Sequence, residues 1–520
     1  MKELVYHRLL LPAVERNADR EAFIDGDYRA TFGTHIDRVA RLSSALGDLG
    51  IGPGDRFAVM ALNGHQFLEC YHAAFLGAGV INPLNLRLAP KELEYILADS
   101  GTKVCFTDQF FAPVIDKVRA AVGLEHVVMI GAGDAPHDVE YEDLLGAASP
   151  RIPDEPEEDD PAVLMYTGGT TGLPKGVLLD HRAEMLNLYH VLQVWRFDER
   201  DTFLHQTPMF HAASMGGMLG VPAQGGSSVF LSLFDPARVL QLCEQYSVTQ
   251  TVMVPTMIGM LLGHPEFRPE RLASLRALTY GSSPMPAALL ERLLALFPDL
   301  DVFQGYGMTE SSAVLTALGP AEHRLGGPRL QSAGRPLPGI VLQIQDAHGD
   351  PLPQGETGEV CARAGNFMRE YWNKPDATAD AFRGGWYHSG DAGHLDPDGF
   401  LFLVDRAKDM IIRAGENVYC VEIENVLFDH PDVVDAAVVG VPHKTLGEEV
   451  KAVVQLRPGS TTTAEELRAF CRERLADFKV PEYVELRDEP LPRNPAGKVL
   501  KNLLRGGDSA FATTSDDQAL

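Results

Sequence analysis

Basic residues are in short supply in this chain. Its 520 residues include 45 lysines and arginines against 72 aspartates and glutamates, a formal charge of −27. A field of that sign repels nucleic-acid phosphates and argues against a DNA or RNA partner. It leaves a small nucleotide open, because one cleft can be locally positive on an acidic protein. Closely spaced cysteines are lacking too. Cys70, Cys105, Cys243, Cys361, Cys420 and Cys471 are scattered, which speaks against a disulfide framework or a cysteine zinc site and fits a reducing compartment. No run reaches the roughly 18 apolar residues of a membrane span. The nearest, VTQTVMVPTMIGMLLG, is interrupted by Pro255. The opening stretch MKELVYHRLLLPAVERNADREAF carries acidic residues and lacks the unbroken apolar segment of a secretory signal. The expected location is cytoplasmic. No internal repeat is visible.

What remains is an ordinary globular composition, 45% apolar and 22% charged, in a chain long enough for more than one domain. Short β-branched runs alternate with helix-period segments. RFAVMAL (56–62) precedes a helical stretch around Phe67–Leu76, KVCFTD (103–108) precedes another, and HVVMIG (126–131) follows. That alternation predicts an α/β fold with largely parallel sheets flanked by helices. RIPDEPEEDD (151–160) reads as an exposed acidic linker. In LRALTYGSSPMPAALLERLLALF a strand, a turn and a helix follow each other, with Ser283 as the expected cap and Pro284 at the first helical position.

After about residue 400 the pattern changes. GFLFLVDRAKDMIIRAGENVY predicts two strands around a charged turn. An amphipathic helix (VEIENVLFDHP), two strands (VDAAVVGV, VKAVVQL) and the helix TAEELRAFCRERLADF come next. Thr463 and Glu466 have capping-box spacing, and Leu467, Phe470, Cys471, Leu475 and Phe478 share one face. The expected organisation is a large domain over 1–404, a small α+β domain over 405–505 and a polar, disordered tail over 506–520.

The stretch with the most chemistry is YTGGTTGLPKGV (166–177), directly behind the β-like run PAVLMY. Glycines let backbone N–H groups approach a ligand closely, threonines add hydroxyls and Lys175 adds charge. A phosphate chain is the ligand these features suit; a plain surface turn is the bland alternative. The loop is not a Walker motif, since Pro174 precedes Lys175 and Gly176 follows it, and it is not a dinucleotide fingerprint. The full string closely resembles the phosphate loop of the AMP-forming, or adenylating, superfamily: acyl-CoA synthetases, peptide-synthetase adenylation domains and beetle luciferases. Gly168 stands where that family usually has serine. Four more motifs follow in the family's order: QGYGMTE (304–310), YHSGD (387–391), DRAKDMIIRAGENVYCVEIE (405–424) and PRNPAGKVLK (492–501). The resemblance spans roughly residues 20–505.

It implies ATP, Mg²⁺ and coenzyme A as cofactor and co-substrates, and it distributes roles along the chain. Thr167, Gly168, Gly169, Thr170, Thr171, Gly172 and Lys175 would cradle phosphates, with Thr170 and Glu310 on the metal side. Gly281, Ser282, Ser283, Gln304, Gly305, Tyr306, Gly307 and Met308 would flank the adenine. Thr309 would bond the α-phosphate, and Asp391 the ribose hydroxyls with Arg406 nearby. Lys498 would set a charge between carboxylate and α-phosphate, where negative charge builds. The small domain would then rotate about Lys408, replacing Lys498 by the hairpin at Arg413, Ala414 and Gly415 beside the pantetheine arm of coenzyme A. Ala414 and Cys420 replace a common glycine and proline of the family.

The acid is the least specified partner. PMFHAASMGGML (208–219) resembles the acyl-pocket segment, with His211 where coenzyme A ligases carry a histidine at the substrate carboxylate. The absence of an aspartate there argues against amino acids. Phe210, Met215, Met218, Met308 and Val314, with Gly305, make an apolar neighbourhood that suits a fatty, aryl or alicyclic acid. The leading reading is an acyl-CoA ligase working through an acyl-adenylate on small-molecule substrates. A carrier-protein-loading ligase, a luciferase-like oxygenase and an inactive nucleotide-binding homologue are the alternatives, and a homodimer is left open.

Overall fold

In the computed structural model, the described residues are 2–167, 173–406, 411–413, 416–443, 446–493 and 499–506. The chain parts into two compact units. One comprises Met1–Thr167, Pro174–Ile340 and Ala364–Asp380; the other includes Val341–Arg363 and the chain from Ala381 onward.

The first unit is built on two large sheets. In the nine-stranded sheet, strands Asp301–Tyr306, Ala277–Gly281, Gln250–Met253, Thr202–His205, Ser227–Phe230 and Glu21–Asp25 run parallel side by side. Antiparallel strands close both edges. The eight-stranded sheet contains the parallel strands at 56–60, 80–83, 104–108 and 126–130, with the antiparallel hairpin Pro161–Thr167/Lys175–Asp180 toward one edge. These strands read as continuous apolar runs because helices cover both faces: all five residues of Val104–Asp108 are buried. The α/β expectation holds, and the strands and helices expected over residues 56–131 are present within two residues of their expected ends. Half of residues 151–160 are exposed, and the segment leads from helix Tyr141–Ala147 to strand Pro161–Thr167 within the first unit.

One expectation needs correction. Ser283 caps no helix: the helix is Ala287–Leu296, its N-cap position is Pro286, and Ser283 is exposed. Pro284 and Pro286 bias the residue before each away from helical conformation, so the helix waits until the second proline is passed. The two strands expected around the charged turn are present as Leu401–Arg406 and Ile411–Arg413. Leu401–Arg406 is the edge of a four-stranded antiparallel sheet, whereas Ile411–Arg413 pairs with Glu416–Val418 in a separate five-stranded sheet.

The second unit holds those two sheets. Helices Cys420–Phe428 and Ala464–Arg472 cover the five-stranded one through Ile423, Leu427, Leu467 and Cys471. The Thr463–Glu466 capping box is formed. That helix stops at Arg472, short of the expected end, and a separate turn at Asp477–Lys479 brings Phe478 to the same core.

Candidate active site

The putting together of the site begins at the hairpin. Thr167 pairs with Lys175 across it, so the glycine-rich segment is the tip of an antiparallel ribbon and not the entry to a helix. Gly168, Gly169, Thr170, Thr171 and Gly172 lie outside the described residues. At the base, the Thr167 hydroxyl donates to the Lys175 carbonyl at 3.5 Å. The Lys175 ammonium sits 4.7 Å from the centre of the Tyr371 ring, a cation–π contact. The Tyr371 hydroxyl donates to Glu310 Oε1 at 2.8 Å. Two residues expected at the phosphates and metal, Lys175 and Glu310, are thus joined through a tyrosine that sequence reasoning missed.

Tyr371 reaches this place because Glu370–Tyr371 adds a short antiparallel strand to the outside of the hairpin, Tyr371 opposite Val177. The residues before it clamp the turn that carries Glu310. Met368 N–H donates to the Glu310 carbonyl at 2.7 Å, and the Asn366 amide donates to the carbonyls of Ser311 (2.9 Å) and Val314 (3.1 Å). The turn is strained: Ser312 and Ala313 have φ of 55° and 105°, in the region that favours glycine. Ser282 shares this feature at 66°. Three such non-glycine residues around one cavity mark the kind of place where a fold holds backbone against its preference.

That cavity spans about 640 Å³ of atom-free space, its open mouth included. His211, Gly281, Ser282, Gly305, Gly307, Met308, Thr309 and Val314, all among the candidate site residues, line it. Gly281 and Gly307 are dictated by packing, since a Cβ would lie 2.5 Å from the Gly305 carbonyl oxygen and 2.2 Å from that of Ala313 respectively. Gly305 differs: a Cβ there would sit in ordinary contact with Trp195 and Val314, at 3.8 and 3.9 Å, so its bareness keeps the cavity wide. His211 Nδ1 accepts from the Ala213 N–H at 3.2 Å and caps the turn Ala212–Ser214. In the neutral ring this puts the proton on Nε2.

Other expected residues lie elsewhere. Phe210 is half-buried and Met215 fully buried, and neither lines the cavity. Ser283, Gln304 and Tyr306 are off its wall as well; the Gln304 amide oxygen accepts from the Tyr280 hydroxyl at 3.4 Å. The missed wall is one face of helix His181–Trp195: Asn187, Val191 and Trp195, four residues apart each time. Their spacing, directly behind the glycine-rich hairpin, was the signal available. One turn earlier, Glu184 is fully buried and hydrogen-bonded to Ser312, and burial pushes its carboxyl well above the usual range.

In the second unit, Asp391 pairs directly with Arg406 across adjacent strands, which brings the two expected ribose residues together. The turn before Asp391 is set by Glu359, whose Oε1 accepts from Gly390 N–H at 3.1 Å and whose Oε2 meets His388 Nδ1 at 2.8 Å. With Cys361 these side chains are close enough for a metal ion. Arg383 competes for the same carboxylate, pairing with Glu359 at 2.8 Å, and burial pushes the Cys361 thiol up to about 12. The trio orders the strand turn instead. Arg413 is held by both oxygens of Glu449, at 2.6 and 2.9 Å. Lys408, Ala414, Gly415 and Lys498 lie outside the described residues.

Comparison with known proteins decides the family. The AMP-binding enzyme model matches residues 11–372, and that of the AMP-binding enzyme C-terminal domain matches residues 422–498. The chain belongs to the AMP-binding enzyme family. This member is 39% identical to a feruloyl-CoA synthase of Amycolatopsis sp. over 92% of this chain and 94% of the relative. It is 38% identical to the fatty acid–[acyl-carrier-protein] ligase ScoC of Streptomyces coeruleorubidus over 90% of each chain. Its fold superposes on ATP-bound MatB from Rhodopseudomonas palustris with a TM-score of 0.86, at 30% identity, covering 97% and 99% of the two chains. As an AMP-binding enzyme it is an AMP-forming acid–CoA ligase, with ATP and coenzyme A as the family's substrates. Among the described residues, no helix is long and apolar enough to cross a membrane.

Proposed function

We propose that this ligase activates a compact hydrophobic acid, an aryl acid by preference, as its acyl-adenylate and then passes the acyl group to coenzyme A. The observation that carries the substrate class is the cavity wall of Val191, Trp195, Gly216, Gly305 and Val314: apolar, and widened by the bare Gly305. The relative named for feruloyl, itself an aryl acyl group, agrees with it. Thr309 at the cavity edge bonds the α-phosphate, and His211 Nε2–H donates toward the substrate carboxylate. Lys498 closes the charge balance of the first step, and Asp391 with Arg406 holds the ribose. Attack by the carboxylate on the α-phosphorus forms the new P–O bond and releases pyrophosphate; attack by the thiolate on the acyl carbon then releases AMP. Residues 405–505 are the moving part, turning at Lys408 to present Arg413, Ala414 and Gly415 for the second step.

A magnesium site fits the residues present. Glu310 offers a single carboxylate oriented by Tyr371 at 2.8 Å, beside Lys175, which suits a hard cation held mostly by substrate phosphates. Bound there with Thr170, the ion would neutralise the phosphate oxygens. The cytoplasm as location completes the proposal.

Similarity to the acyl-carrier-protein ligase supports a second reading, transfer to a carrier protein. One assay separates the two. Incubate the protein with ATP, magnesium, coenzyme A and a panel of aryl, alicyclic and fatty acids, and follow AMP and thioester. Stoichiometric AMP and acyl-CoA from aryl acids is the expected result. Acyl-adenylate without thioester favours a carrier protein, and no ATP consumption with any acid overturns both.

A further inference from the structure

The cavity holds two buried polar atoms that no described residue satisfies. Trp195 is 5% exposed and Asn187 2% exposed, both line the cavity, and among the described residues neither Trp195 Nε1 nor Asn187 Oδ1 has a hydrogen-bond partner. A buried donor left unpaired is costly, and cavities that bind small molecules carry a few such groups for the ligand to satisfy. The two atoms serve different points. Eight residues separate them on one helix, about 12 Å along its axis, too far for one substituent to bridge. Asn187 follows Glu184, which is bonded to the Ser312 turn beside Glu310, so it lies toward the reacting end. Trp195 lies toward the other. Its ring is fixed there, because a Cβ on Gly216 would come within 2.7 Å of it and Phe197 stands against it at 6.4 Å.

We infer that Trp195 is a specificity-determining residue whose indole N–H reads an oxygen acceptor at the end of the acid remote from its carboxylate. This rests on the acid-activating function proposed above and narrows it from hydrophobic acids to oxygen-substituted ones. An acid of matching shape without that oxygen leaves the N–H unpaired when it displaces water from the cavity, and is rejected for that reason. The indole ring supplies the apolar wall in either case, so the oxygen dependence belongs to one atom.

The test compares trans-cinnamate with its 4-hydroxy and 4-methoxy derivatives, all of which present the same carboxylate. Wild-type protein should favour the two oxygenated acids by about tenfold in kcat/KM for acid-dependent AMP formation. Trp195→Phe, which keeps an aromatic wall and removes the donor, should lose that preference, its kcat/KM with the oxygenated acids falling to that with cinnamate. Val191→Ala alters the same wall without touching the N–H and should change all three acids alike. No wild-type preference, a preference that survives in Trp195→Phe, or an equal loss with all three acids overturns the inference. Wild-type activity confined to octanoate and other acids without a distal oxygen also overturns it, while acid activation stands. No AMP from any acid removes the functional reading as well.

Discussion

Tyr371→Phe is the sharpest probe of how the phosphate end is organised. The substitution removes one oxygen, the one that donates to Glu310 Oε1 at 2.8 Å. The ring that faces the Lys175 ammonium remains, and so does the Tyr371 backbone bond to the Thr378 hydroxyl at 2.9 Å. The strand pairing with the hairpin is untouched, so the fold should survive. A hydrogen bond to a carboxylate contributes roughly 1.5–3 kcal/mol. Lost orientation of a metal-side carboxylate typically lowers metal affinity or activity about 10- to 100-fold. The two estimates overlap, since 1.36 kcal/mol is a factor of ten. Acid-dependent ATP–pyrophosphate exchange, measured across a magnesium titration, should show half-saturation moving up about tenfold or more, with much of the rate recovered at high magnesium. An unchanged magnesium curve refutes the reasoning. So does a loss of rate that magnesium does not rescue and that tracks a fall in Tm, because the hydroxyl would then be supporting the fold and not the carboxylate.

Three further outcomes are expected. Gly305→Val should shift selectivity from cinnamate-sized acids toward acetate and propionate, because its side chain would fill the space facing Trp195 and Val314; an unchanged acid profile counts against this wall as the acyl site. Glu184→Gln should stabilise the protein increasingly as pH rises. The buried acid has its pKa raised above 4.5 in the folded state, so it is neutral where the unfolded chain is ionised, and its contribution falls by about 1.4 kcal/mol per pH unit until the folded group ionises. Tm measured for both proteins between pH 5 and 7 should diverge in favour of the glutamine variant, and parallel profiles would show that Glu184 is charged in the native state. Lys498→Ala should abolish acid-dependent ATP–pyrophosphate exchange yet largely spare thioester formation from supplied acyl-AMP; equal loss of both half-reactions removes its assigned role.

Local chemistry made much of this protein legible before any fold was known. Alternating apolar runs and helix-period segments sufficed for the α/β layers, because each strand buried on both faces must be apolar throughout. Thr463 and Glu466 announced a helix start, since a capping box needs only residues three apart. The glycine-rich loop pointed to phosphate by its own chemistry, whereas YGMTE and YHSGD pointed to a nucleotide through their resemblance to the adenylating superfamily. Where two local rules competed, reading along the chain failed: Ser283 had the right residue type for a cap, but Pro286 moved the helix start past it.

Long-range packing decided the rest. Tyr371 and Glu310 are 61 positions apart and Lys175 still further, so no spacing rule connects them; they meet because a two-residue strand adds to the edge of the hairpin. Asn187, Val191 and Trp195 share a helix face, but which face looks into a cavity depends on the strands and turns packed opposite. The left-handed backbone at Ser282, Ser312 and Ala313 runs against the preference of those residues and exists because neighbouring segments hold it there. Residue types and their order along the chain were enough to say what kind of chemistry this protein performs. Which atoms line the cavity, and which of them no described residue satisfies, followed only from contacts between distant segments, because hydrogen bonds and cavities depend on distances in space that chain order does not encode.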